Sequence, residues 1–66
     1  MKFKIGDRVL IAPIVCATGM RWYANKIGHI VQIASDEAYP YRVEEFEEDT
    51  KYGMGANFKE EELIRI

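Results

Sequence analysis

The chain holds one histidine, His29, and one cysteine, Cys16, so the side chains that most often carry catalysis occur singly. His29 follows Gly28 with no Cys, Asp or second His at metal-ligand spacing, which makes it a strand-surface or hydrogen-bonded histidine. Cys16 sits among Ile14, Val15 and Ala17 with no activating base nearby, and the expectation is a buried, structural thiol. No nucleophile–base pair and no metal set is legible, so the chain reads as a non-enzyme. No cofactor is implied either, because Gly53-Met54-Gly55 is too short to be a phosphate loop.

Two clusters remain. The first is acidic: Glu44, Glu45, Glu47, Glu48 and Asp49, joined by Glu60, Glu61 and Glu62. Its spacing matches no calcium loop, which needs a central glycine and alternating ligands. It reads as a solvated face that protects a sheet edge, or as a docking face for a basic partner with Glu47 and Glu48 steering the approach. The second cluster is aromatic: Trp22 and Tyr23 in one segment, with Tyr39, Tyr41 and Tyr52 at strand ends and Arg21 adjoining. Rings with a polar rim make protein-binding hot spots, stack on bases, or cap a small core. Arg8, Arg21, Lys26 and Arg42 add the possibility of a basic stripe beside the rings.

Such residues need elements to hold them. Turn signals recur at short intervals, and β-branched and aromatic residues fill the segments between, which is an all-β pattern. Gly6-Asp7 makes a turn and opens a strand over residues 8–12, which Pro13 ends because it cannot donate to a ladder. Residues 13–26 form a long loop, of the kind that often carries function. A second strand covers 27–34, with Gly28 at a bend or a close backbone approach. A third covers 39–46. There Val43 and Phe46 break period two, so the strand bulges or ends at Glu44-Glu45. A weak fourth strand covers 52–58, a single helical turn 59–62 and a last strand 63–66. The expected core is Val9, Ile11, Ile30, Ile33, Val43, Phe46, Phe58, Leu63 and Ile66. Five short strands are too few for two full sheets, and closure into a barrel removes most exposed edges.

The 66 residues allow one domain, residues 1–66. A composition that is 48% hydrophobic and 30% charged excludes wholesale disorder. A net charge of −2 disfavours nucleic acid as the partner, although the cations gather before residue 36 and the acids after it. A lone cysteine, no visible signal peptide and no long apolar run give the expectation of a cytoplasmic protein away from membranes. Exposed aromatics with edge strands permit a homodimer without requiring one.

Gly6-Asp7-Arg8-Val9, the Trp22 loop, Ile27-Gly28-His29-Ile30, Tyr39-Pro40-Tyr41-Arg42-Val43 and Asn57-Phe58 through Leu63 together resemble the small SH3-like barrels of phage, prophage and bacterial proteins. The same order of tryptophan loop, glycine-led strand, Tyr-Pro and Asn-Phe-x-Glu-x-Glu-Leu-like end is similar to the photosystem I reaction-centre subunit IV family. The resemblance implies a small five-stranded SH3-like barrel with a long first loop. It implies a docking module, such as a phage-encoded modulator that binds a host protein or an accessory docking subunit of a redox complex, and it carries over no catalytic residue. From the residues, the contact surface is expected at Arg21, Trp22, Tyr23, Tyr39, Tyr41 and Tyr52, with Glu47 and Glu48 beside it. The competing expectation is a nucleic-acid or nucleotide binder that stacks bases on the tyrosines, with steeply salt-dependent binding.

Overall fold

Alternation of apolar and polar residues places five short strands in one antiparallel sheet in the computed structural model, which describes residues 2–47 and 55–66. The strands are β1 (Arg8–Ile11), β2 (Ile27–Ile33), β3 (Tyr41–Glu44), β4 (Ala56–Phe58) and β5 (Leu63–Arg65). Their order across the sheet is β4-β3-β2-β1-β5. β1 to β4 form a meander, and β5 returns to the far side of β1. β4 and β5 are thus the two edges, and no ladder joins them among the described residues. Among the described residues the sheet is not closed into the barrel expected from the sequence. With three residues in each edge strand, little backbone is left unpaired, so closure is not needed to protect the edges.

The inner face carries the core. Val9 and Ile11 of β1, Ile30 of β2, Tyr41 and Val43 of β3, Phe58 of β4 and Leu63 of β5 are all buried. Phe3, which precedes the first strand, joins them and meets the Tyr41 ring edge-on at 5.3 Å. The left-handed Gly6 (φ 92°) turns the chain between Phe3 and β1, and its N–H donates to Ile30 O at 2.7 Å.

Two breaks of period two are resolved by backbone irregularities. In β2 the register shifts between Ile30 and Gln32, so the ladder bulges and both Ile30 and Ile33 reach the core side. In β3 the strand stops at Glu44, and Glu45 adopts a left-handed φ of 56°. That reversal returns Phe46 to the core, where it packs as a partly buried ring. The Glu47 N–H then donates to Ile27 O at 2.8 Å. The expected end or bulge at Glu44-Glu45 is therefore an end with a left-handed turn.

The segment between β1 and β2 folds as two 3-10 turns, Pro13–Thr18 and Arg21–Tyr23, in place of a long open loop. Pro13 begins the first, where its missing N–H is not needed. Three residues per turn aim Ala12 and Val15 inward and leave Ile14 and Cys16 exposed. The buried thiol expected at Cys16 is therefore corrected: it lies on the outer side of this turn. Left-handed Gly19 (φ 86°) closes the turn, and its N–H donates to Val15 O. A third 3-10 turn, Glu60–Glu62, leads directly into β5.

Ile66 is a further correction. It is half exposed, not core, because β5 ends at Arg65 and only Leu63 of that strand points inward. The expected fourth strand over 52–58 is seen as Ala56–Phe58, and its first part lies outside the described residues. Among the described residues no helix is long and apolar enough to cross a membrane.

Candidate functional site

The aromatic residues expected on one surface divide between core and surface. Tyr41 is fully buried, because period two in β3 sends Tyr41 and Val43 inward together. Its hydroxyl donates to Glu60 Oε1 at 3.2 Å, which gives the phenol a partner at the rim of the core. Tyr23 is half-buried and packs on Phe46 and Phe58, with ring centroids at 5.3 Å and 5.7 Å. Both tyrosines are removed from the contact surface for a simple reason: a sheet this small needs large rings to fill its core. Tyr52 and Glu48 lie outside the described residues.

Trp22 and Tyr39 remain on the surface, at 55% and 42% exposure. Trp22 is carried by the second 3-10 turn, which packs against the first. The Arg21 guanidinium lies 5.6 Å from the Trp22 ring centroid, a cation–π contact. Ile14, on the neighbouring turn, is also exposed at 57%. Tyr39 precedes β3, with the Lys59 ammonium 5.2 Å from its ring centroid. Its ring lines a groove of about 340 Å³ between the β2–β3 connection and β4.

The expected basic stripe is neutralised in part by the acids. Arg8 grips Glu47 with two bonds, Nε to Oε2 at 2.5 Å and Nη2 to Oε1 at 2.9 Å. Arg42 Nε donates to Glu44 Oε2 at 2.6 Å, and its Nη1 to Asn57 Oδ1 at 3.1 Å. Glu47 is thus not the free steering charge the sequence suggested. His29 pairs across strands with Arg8 and Glu44. Its Nδ1 lies 3.4 Å from Glu45 O and its Nε2 3.9 Å from Glu47 Oε2, so it belongs to this charged surface row. Among the described residues, no group of three His, Cys, Asp or Glu side chains is arranged to hold a metal ion. Glu62, the buried acid, accepts the Lys59 N–H at 2.8 Å, and its carbonyl accepts the Ala12 N–H, which ties the last 3-10 turn to the end of β1.

The Arg8–Glu47 contact has a pH signature. The hydrogen bond from Arg8 holds the Glu47 carboxyl below its usual value, and the same bond raises Arg8. A depressed carboxylate stabilises the fold at pH above its unfolded value of about 4.3, and that contribution is lost as pH falls through the lower, folded value. Glu47→Gln is therefore expected to melt slightly below wild type at pH 7, with the gap narrowing as the solution is made acidic. The effect is small because the pair is half-exposed. Melting curves of both proteins across this range check it, and a gap that widens in acid would refute the assignment.

The chain matches no protein-family model, no curated protein and no solved structure.

Proposed function

We propose that this chain is a small SH3-like interaction domain that binds a protein partner through the Trp22 face and catalyses no reaction. The SH3-like reading is supported by the strand order β5-β1-β2-β3-β4, with a single 3-10 turn leading into β5 and the long β1–β2 connection carrying Trp22. The observation that carries the binding reading is the exposure of Trp22. A tryptophan is normally well buried, and leaving one more than half in water costs stability unless something covers it. Ile14 is exposed on the turn packed against that of Trp22, and Arg21 gives the ring a charged border, as at the rim of a hot spot. Taken with the resemblance to phage barrels, the partner is a bacterial host protein that this domain modulates.

Trp22→Ala tests the reading. Because the ring is half in solvent, the variant is expected to keep its far-UV spectrum and to melt close to wild type. Its affinity for the partner is expected to fall at least about 30-fold, the loss a central hot-spot tryptophan causes. Wild type and variant, immobilised and exposed to bacterial lysate, make the comparison. One protein held in stoichiometric amount by wild type and lost by the variant supports the proposal. Unfolding of the variant would make Trp22 a core residue. Nucleic acid retained without a dominant protein would replace the proposal with base stacking, whose mark is a steep salt dependence.

A further inference from the structure

The groove beside Tyr39 holds two polar side chains, Gln32 and Glu37, that pair with nothing else among the described residues. Gln32 pairs with Arg42 across β2 and β3, and Arg42 with Asn57 across β3 and β4. Gln32 and Asn57 therefore stand on the same face of the sheet, two strand spacings apart, roughly 10 Å. Arg42 between them is occupied by Glu44 and Asn57. Asn57 Nδ2 donates to Tyr39 O at 3.3 Å, and its second N–H remains for a ligand. The Gln32 side chain makes no hydrogen bond among the described residues, so both its amide N–H groups and its carbonyl are free. Glu37, the charged residue of the lining, has no ion partner among the described residues, and exposed Asp36 precedes it. Tyr39 and Pro40 supply the apolar wall.

We propose that this groove binds a short extended peptide segment bearing a lysine or arginine side chain. Two backbone positions about 10 Å apart that each carry a side-chain amide match the reach of three residues of extended chain, each rising about 3.3 Å. Each amide can donate to and accept from a peptide unit, which neither a simple anion nor an apolar ligand would use. The free carboxylate of Glu37 selects a basic side chain, while Pro40 covers its aliphatic stem and Tyr39, whose ring already carries the Lys59 ammonium, closes the wall. The site does not include Trp22, so it stands or falls apart from the Trp22 reading.

The test is selection from a displayed library of random octapeptides on the folded wild-type chain, on Glu37→Lys and on Trp22→Ala. Glu37 sits in an exposed turn held by its own backbone N–H, which donates to Ala34 O at 2.9 Å, so a change of side chain leaves the turn intact. Wild type is expected to enrich peptides with a basic residue at least tenfold over the unselected library. Glu37→Lys is expected to reverse that preference to acidic peptides, and Trp22→Ala to leave it unchanged. If Glu37→Lys fails to fold, Glu37→Gln replaces it and is expected to lose the charge preference without reversing it. No enrichment by wild type, a basic preference that survives the change at Glu37, or its loss in Trp22→Ala would each overturn the proposal.

Discussion

Phe58→Ala is expected to leave the chain unfolded, or barely folded, at room temperature. Phe58 is fully buried at the end of β4, pairs with Tyr41 in the ladder and receives the Tyr23 ring edge-on at 5.7 Å. It joins the short edge strand to the 3-10 segment as well as filling the core. Truncating a buried phenylalanine to alanine costs about 3–5 kcal/mol, partly as lost transfer energy and partly as cavity. At about 0.05–0.15 kcal/mol per residue, a chain of this length holds roughly 3–10 kcal/mol in total. The cost is thus a large share of everything available, and the buried side chains of the described residues form a single cluster that cannot absorb it. Loss of the cooperative thermal transition in circular dichroism is the expected result. Ile66→Ala is the control: half-exposed and beyond the last strand, it is expected to change stability by less than about 0.5 kcal/mol. A Phe58→Ala protein that melts within a few degrees of wild type would mean that β4 is not docked on this core.

What the sequence makes legible follows from which residues act locally. Strand positions were readable where side chains alternate: Val9 and Ile11, or Val43, are buried as period two requires. Pro13 ends β1 and Gly6-Asp7 turns the chain because those effects need only a few bonded neighbours. Phe3 was not readable, since it stands alone before the first strand and its burial depends on Tyr41, far away in the chain. Val15 was missed for another reason. It is buried by a three-residue period, which neither a strand pattern nor a helix pattern reveals. The aromatic site was half legible. Residue type marks Trp22, Tyr23, Tyr39 and Tyr41 alike as anchors, and only the packing decides that Tyr23 and Tyr41 serve the core while Trp22 and Tyr39 stay outside. Gln32 and Asn57 gave no sign of lying together, because the register of β2, β3 and β4 sets them on one face and the bulge at residues 30–32 decides which face Gln32 takes.

Gly28→Ala is expected to destabilise the fold by about 1–3 kcal/mol, the usual cost of forcing an added methyl into a packed core. A methyl built on Gly28 would lie 2.7 Å from Val43 Cγ1 and 3.0 Å from Phe46 Cδ1 and Cε1. Contacts that short require something to move. Val43 is fully buried on the adjacent strand, and Phe46 is held over β2 by the Glu47-to-Ile27 bond that follows the left-handed Glu45. Neither is a flexible surface chain that can swing aside. The glycine is thus the counterpart of the turn at Glu45: one strand gives up a side chain so that the next can fold its aromatic back over it. The proof of that pairing is a double substitution. Val43→Ala alone is expected to destabilise by leaving a cavity, and Gly28→Ala alone by overfilling the same space. Combined, the new methyl occupies the room that Val43 vacates. The double variant should then be more stable than the sum of the two losses by about 1 kcal/mol or more, as contacting sites allow. Urea unfolding of the four proteins measures the coupling, and strictly additive losses would place Gly28 away from Val43.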